Sequence, residues 1–293
     1  SHHMMFRPLL QAMRPRQWVK NVLVGAAPAA AGVTATTQWL DVLLAFISMT
    51  CAASGVYLFN DVADIAEDRL HPKKIARPVA SGALSVKVAA IAGSALTGTS
   101  MVLAAVFINW VTAVLVAGYL ALMGLYSVVL RKVIGIDIII VAVGFVLRAL
   151  IGASAAFIAV SSVFVVFVGC AALFIVTGKR LSEVNTFSVH HTVTTPHRPT
   201  LRQYSRTSLW LIICIASAGM VLAYIVWVAT TPLARRAAQT ATIPFVIIAL
   251  IRMLAILRQG GGDEPEVLLY RDRSIQCCAI GWTVAFLLAE YGS

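Results

Sequence analysis

Residues 39–68 read WLDVLLAFISMTCAASGVYLFNDVADIAED. From Trp39 to Phe59 the run is almost wholly apolar and has the length of a helix that crosses a hydrocarbon core, about 17 to 25 residues. Asn60-Asp61-Val62-Ala63-Asp64-Ile65-Ala66-Glu67-Asp68 follow, four carboxylates in eight positions of a chain with only 12 acids in 293 residues. Carboxylates are expensive beside a bilayer, so this concentration reads as a site rather than as a solvated helix end. At about 100° per residue, Asn60, Asp61, Asp64, Glu67 and Asp68 fall within roughly one third of a helix circumference. One face then offers several hard oxygen donors. Magnesium takes such donors and is typically held by one or two carboxylates together with substrate phosphates. The expected metal set is Asn60, Asp61, Asp64 and Asp68, holding Mg2+ and a diphosphate at a membrane surface.

Composition sets the class. Hydrophobic residues make up 60% of the chain and charged residues 12%, with a mean hydropathy of +0.88, which is the profile of an integral membrane protein. The strict alternation of a transmembrane barrel is absent. Apolar runs of spanning length predict an all-α polytopic bundle of about nine helices, at roughly 18–35, 39–60, 86–107, 110–130, 134–157, 161–178, 208–229, 240–257 and 274–290. The first is short and contains Pro28; the eighth contains Pro244 and Arg252. Ser1 to Met4 have the look of an expression-tag remnant, which leaves residues 5–293 as one expected catalytic domain. The basic N-terminal region leads straight into a span, without the pattern of a cleavable signal peptide.

Orientation follows from the cations. With the N-terminus in the cytoplasm, 20 of the 23 Lys and Arg lie on the cytoplasmic side, in accord with the positive-inside rule. The net charge of +11 therefore describes one face of a plasma-membrane protein, and no nucleic-acid partner is expected. Anionic lipid or phosphate binding is a second use for the same charge. Cys51, Cys170, Cys214, Cys277 and Cys278 fall within the predicted spans without metal-ligand spacing, as packing residues. His190, His191 and His197 read as loop residues.

Two cytoplasmic loops exceed what connection requires. The first, about 61–86, carries the acidic cluster and then Arg69, His71, Lys73, Lys74 and Arg77; the second, about 179–206, begins Gly178-Lys179-Arg180-Leu181-Ser182-Glu183 and continues to Arg198, Arg202, Tyr204 and Arg206. Lys179, Arg180 and Glu183 share one helical arc, as Asn60, Asp61 and Asp64 do. An acidic and a basic helix end facing one pocket would suit a metal-bound polyanion. In the fifth span Asp137 and Arg148 lie on one face, about three turns apart. An intramembrane Arg is a functional candidate, for the phosphate of a lipid or sugar substrate, or else a lock for the bundle. Tyr126 and Tyr204 are candidates for binding a ribose or a phosphate; Trp18 and Lys20 are interfacial anchors or contacts to a lipid head group. Gly260-Gly261-Gly262 reads as a flexible loop.

These residues carry a resemblance. Asn60 to Asp68 resembles the NDxxDxxxD motif of the UbiA superfamily of intramembrane prenyltransferases, and the span count is similar to that family's helical bundle. The likeness extends along most of the chain, through Arg14-Pro15-Arg16-Gln17-Trp18-Val19-Lys20-Asn21, Asp68-Arg69, His71-Pro72, Arg77-Pro78, Phe145-Val146-Leu147-Arg148, Gly178-Lys179-Arg180 with Glu183, Glu264-Pro265-Glu266 and Arg271-Asp272-Arg273. These further segments are similar to the members that transfer phosphoribosyl to a polyprenyl phosphate. Prenyl-transferring members share a second aspartate-rich motif; here the corresponding helix end has one acid and two cations. That charge suits a donor with an additional phosphate, as phosphoribosyl diphosphate has.

The expected chemistry places the donor diphosphate on magnesium at Asp61, Asp64 and Asp68, positioned by Asn60. Lys179 and Arg180, with Glu183 on the same arc and help from Lys73, Arg77 or Arg202, would bind donor phosphates. A polyprenyl phosphate, decaprenyl phosphate by resemblance, would lie along the helices with its head near Arg148 or Lys20. Its anionic oxygen attacks the anomeric carbon without a general base. The resemblance implies a product that is a precursor of the arabinose donor for actinobacterial cell-wall arabinan. Two alternatives stand beside this reading: a prenyltransferase using a prenyl diphosphate with an aromatic or lipid acceptor, and a polytopic transporter.

Overall fold

A computed structural model of the chain describes residues 2–72, 74–129, 133, 135–189, 204–260, 268 and 271–292, with the side chains of 2–5 and 186–189 outside that description. The described residues form helices α1 (His2–Ala12), α2 (Ala26–Ala30), α3 (Thr36–Ala63), α4 (Ile65–Leu70), α5 (Val86–Val102), α6 (Trp110–Val128), α7 (Ile136–Ala155), α8 (Ser162–Val189), α9 (Arg206–Thr230), α10 (Leu233–Thr240), α11 (Ile243–Arg258) and α12 (Arg273–Tyr291), with a 3-10 turn at Lys74–Ala76 and two longer irregular helical pieces. One piece is a 3-10 strap, Pro15–Gly25. The other is a π-helical turn, Leu103–Ile108, which continues α5. Among the described residues eight helical segments are long and apolar enough to cross a membrane.

The expected first span is the exception. Residues 18–35 do not form one α-helix: the 3-10 strap gives way to the short α2, and Pro28 and the turn at Gly32, with φ +68°, interrupt the α ladder. A 3-10 helix rises about 2.0 Å per residue, so the strap and α2 together still reach about 30 Å, the thickness of a hydrocarbon core. The doubts over the eighth span resolve locally. Pro244 sits in the first turn of α11, where its missing N–H is harmless, and Arg252 pairs with Asp272 at 2.8 Å.

The chain packs as two compact units, Ser1–Arg131 with Leu147–Val160, and Lys132–Val146 with Ser161–Ser293; α7 is divided between them. In the first unit α3 packs on α5, the strap, the π turn and α6. Its core gathers Val24, Val42, Met49, Val116, Tyr119 and Ile151. Small residues permit the close approach of α3 and α5: a Cβ on Gly55 would lie 2.6 Å from Thr97 Cγ2 and 3.0 Å from the Gly93 carbonyl oxygen. Asn109, at the end of the π turn, is extended, and its side chain caps α6 by accepting from the Thr112 N–H at 2.8 Å. In the second unit α8 packs on α9 and α11 on α12, around Ile138, Phe174, Leu181, Leu209, Ile213 and Leu250. Leu43, Ile47, Val106, Phe107, Leu211, Ile215 and Ile280 point outward, the apolar surface that lipid covers.

Candidate active site

The acidic motif sits where α3 gives way to α4. The backbone ladder continues through the junction, Asp64 N–H to Asn60 at 2.9 Å and Asp68 N–H to Asp64 at 2.8 Å, but Asp64 leaves helical geometry with φ −93° and ψ 9°. That break modifies the expected single face. Asp61 and Asp68 turn inward and are 2% and 1% exposed, Asn60 and Asp64 are half-buried, and Glu67 faces outward.

Buried carboxylates need counter-charge, and three cations supply it. Arg77 Nη1 donates to Asp68 Oδ2 at 2.7 Å and to Asp61 Oδ1 at 3.3 Å, bringing both carboxylates to one nitrogen. Arg14 Nη2 donates to Asp61 Oδ1 at 2.5 Å, with its guanidinium 4.7 Å above the Tyr57 ring. Lys74 Nζ stands 3.7 Å from Asp68 Oδ1. Of these, only Arg77 is among the ligand contacts the sequence suggests. Arg14 adopts a left-handed backbone, φ 55° and ψ 65°, immediately before the strap, a conformation uncommon outside glycine.

Magnesium fits this end of the molecule. Asp68 Oδ1 is buried with no hydrogen-bond partner, an anionic hard oxygen still able to accept a cation. Among the described residues no group of three or more His, Cys, Asp or Glu is gathered around one point. Asp61 and Asp68 offer two carboxylates side by side, and one or two carboxylates with substrate phosphate and water are the usual set for this ion. The expected four-residue set is not drawn together, because the break at Asp64 ends the single helical face.

The basic motif also differs from expectation. Gly178 to Glu183 lies within α8 rather than in a loop, and Arg180 is 4% exposed. Its charge is tolerated there because Arg180 Nε donates to Asp137 Oδ2 at 3.0 Å and Nη1 to Glu183 Oε2 at 2.7 Å. Tyr204 donates its phenol hydrogen to Asp137 Oδ1 and accepts the Gly135 N–H at 2.7 Å. Burial, with the Asp137 carboxylate next in importance, pushes the Tyr204 hydroxyl well above the ordinary tyrosine range. Arg180 and Tyr204 are thus both turned onto Asp137, a fully buried carboxylate. Lys179 is half-buried on the neighbouring face of α8, and Tyr126, near the end of α6, is half-buried too. Lys73 and Arg202 lie outside the described residues, as do His190, His191, His197, Arg198, Gly261, Gly262 and the segment 264–266.

Arg148 is 6% exposed within the first unit. Its Nε donates to Asn21 Oδ1 at 2.9 Å and its Nη2 to the Tyr119 hydroxyl at 3.0 Å, with the guanidinium 4.9 Å above the Tyr119 ring. Asp137, expected on the same face of α7, belongs to the second unit. Lys20 is half-buried on the strap.

The chain is thus a polytopic helical protein with buried carboxylates clamped by cations at the end of a span. Residues 21–182 match the model of the UbiA prenyltransferase family, and the chain belongs to that family. It is 34% identical to the decaprenyl-phosphate phosphoribosyltransferase of Corynebacterium glutamicum, over 97% of this chain and 86% of that protein. The protein of the same name from Mycolicibacterium smegmatis is 33% identical over 97% of this chain and 93% of its own, and that of Mycobacterium tuberculosis 34% over 94% and 91%. In fold, the chain is similar to a UbiA homolog from Archaeoglobus fulgidus solved with GPP and Mg2+, with TM-score 0.73 at 18% identity over 97% of this chain and 98% of that one. A UbiA homolog from Aeropyrum pernix gives TM-score 0.61 at 17% identity, over 98% of each chain. Membership of an enzyme family removes the transporter alternative.

Proposed function

We propose that this chain transfers the 5-phosphoribosyl group of phosphoribosyl diphosphate to a polyprenyl phosphate and releases diphosphate, acting at the cytoplasmic face of the plasma membrane with its N-terminus on that side. The observation that carries the reading is the 34% identity spread over 97% of the chain with an enzyme named for that reaction. The paired carboxylates with three cations at the end of α3, and a second motif with one acid beside two cations, support it chemically.

Asp61 and Asp68, with Asp64 and Asn60 beside them, are the residues to hold magnesium. When bound, the ion supplies Lewis-acid charge to the departing diphosphate. Arg77, Arg14 and Lys74 are close enough to the carboxylates to exchange them for phosphate oxygens and neutralise the charge that develops as the anomeric C–O bond breaks. Lys179 is assigned to donor phosphate, with Lys73 and Arg202 as further cations. Arg180 and Glu183 contribute by shaping the same helix end, and Tyr204 by bracing it through Asp137; Tyr126 and Lys20 are assigned to substrate at the interface. The nucleophile is an oxygen of the lipid phosphate, anionic at neutral pH. A C–O bond forms to the anomeric carbon as the bond to diphosphate breaks, with inversion and no proton to remove. Catalysis rests on alignment and charge. The product has the chemistry of a lipid-linked pentose precursor for a cell-wall polysaccharide.

The test is transfer of radiolabelled phosphoribosyl diphosphate onto decaprenyl phosphate by the purified protein, with magnesium and then with excess chelator. A magnesium-dependent lipid-soluble product is expected. Absence of product in a folded preparation that instead uses a prenyl diphosphate would overturn the reading in favour of the broader family reaction.

A further inference from the structure

The segment Arg14 to Asn21 is singled out by the sequence, yet beyond Arg14 and Lys20 it has no part in the chemistry above. In the structure it forms the start of the 3-10 strap, whose three residues per turn put Trp18, Asn21 and Val24 on one face. That face lies along α3, running in the opposite direction. Arg14 meets Asp61, Trp18 Nε1 donates to Ser54 Oγ at 3.1 Å, and Asn21 Nδ2 donates to Thr50 Oγ1 at 3.2 Å. Seven residues of strap advance about 14 Å and eleven of α3 about 16 Å, so the two ladders stay in step.

The far end of the strap is held by α7. Asn21 Oδ1 accepts from Arg148. One turn further on, Gly152 lies so close to the strap that a Cβ there would fall 1.7 Å from the Val24 carbonyl oxygen. The amide of Asn21 meets both Arg148 and Thr50, and Thr50 is about 16 Å along α3 from Asp61. A phosphate attacking a carbon whose leaving group sits at Asp61 and Asp68 must be within about 3.5 Å of that carbon. Arg148 is buried at the Asn21 end of the strap, with its Nε on Asn21 and its Nη2 on Tyr119.

We propose that Arg148 is a positioning residue rather than a phosphate ligand: through Asn21 it fixes the register of the strap, and the strap delivers Arg14 to Asp61. The inference rests on the reading of the Asp61 and Asp68 end as a metal–diphosphate site. It makes Asn21 and Trp18 intermediate members of the same device. Arg148 then governs diphosphate affinity at a distance and has no direct contact with the acceptor head group.

The experiment measures binding of Mn2+ with inorganic diphosphate to the purified full-length chain by electron paramagnetic resonance, for wild type, Arg14→Ala, Asn21→Ala and the double variant. Each single substitution is expected to weaken binding about tenfold or somewhat less, and the double to be no weaker than Arg14→Ala alone, since both act through one contact. Arg148→Lys, which keeps the charge but loses the Nε donor, reads the same coupling should Asn21→Ala fail to fold. Multiplicative effects in the double variant, or unchanged Mn2+–diphosphate binding in Arg148→Lys with a raised KM for the lipid acceptor, would overturn the proposal. The donor identity enters nowhere in this assay. Wild type that binds Mn2+–diphosphate but transfers no phosphoribosyl sinks the functional reading alone, whereas wild type that binds none sinks both.

Discussion

At the scale of the residue, burial distinguishes acids that the sequence treats alike. Asp61 and Asp68 are enclosed and clamped, while Glu67 of the same motif is outward. Asp68→Ala removes the carboxylate whose Oδ1 has no hydrogen-bond partner, and turnover in the radiolabel assay should fall by at least about 100-fold, the size typical of losing one preorganised charge in a reacting site. Asp64→Ala should have a comparable effect, and near-normal activity in both would remove the metal assignment. Tyr204 makes a prediction in pH. Its folded-state value is raised, so above about pH 10 the unfolded chain releases a phenolic proton that the folded chain retains. The stabilisation from Tyr204 is complete below that pH and declines as the pH rises from there toward the higher folded-state value. Melting temperature measured from pH 8 to 11 should decline more steeply for wild type than for Tyr204→Phe. At pH 8 the variant should be less stable by about 1.5 to 3 kcal/mol, the worth of a hydrogen bond to a charged group.

At the scale of the element, close approach of backbones does what apolar burial cannot do alone in lipid. The strap can dock on α7 because position 152 has no side chain. Gly152→Ala should therefore cost about 3 kcal/mol or more, with the strap displaced. Gly98→Ala, where an added Cβ meets nothing within 4 Å, should leave the thermal transition in detergent unchanged or slightly raised. Equal melting temperatures for the two variants would contradict the packing described. The same logic explains why α8 runs past the expected end near residue 178: Asp137 and Glu183 compensate Arg180 inside the second unit, so the helix need not stop at the first charge.

At the scale of the whole molecule, the cations predict sidedness. With the native cysteines replaced, Ser81→Cys and Ala238→Cys should react with a membrane-impermeant maleimide from opposite sides, Ser81 only after the cells are opened. Labelling of Ala238→Cys from the cytoplasm alone would reverse the orientation. Eight of the spans, and the acidic motif at the end of one of them, follow from the sequence alone, because the length of an apolar run is fixed by bilayer thickness and clustered charge has no other tolerable place. The expected bounds 39–60 and 274–290 fall inside α3 and α12 for that reason. What periodicity does not carry is pairing. That Arg14 closes on Asp61, that Arg180 and Tyr204 both turn onto Asp137, and that Arg148 reaches Asn21 were decided by tertiary structure, since each joins residues from 43 to 127 positions apart through contacts in which a helix face meets a particular neighbour. The strap depended on both levels: Pro28 and the turn at Gly32 shortened the span, but only packing against α3 and Gly152 made a tight 3-10 helix the conformation in which its polar side chains find partners.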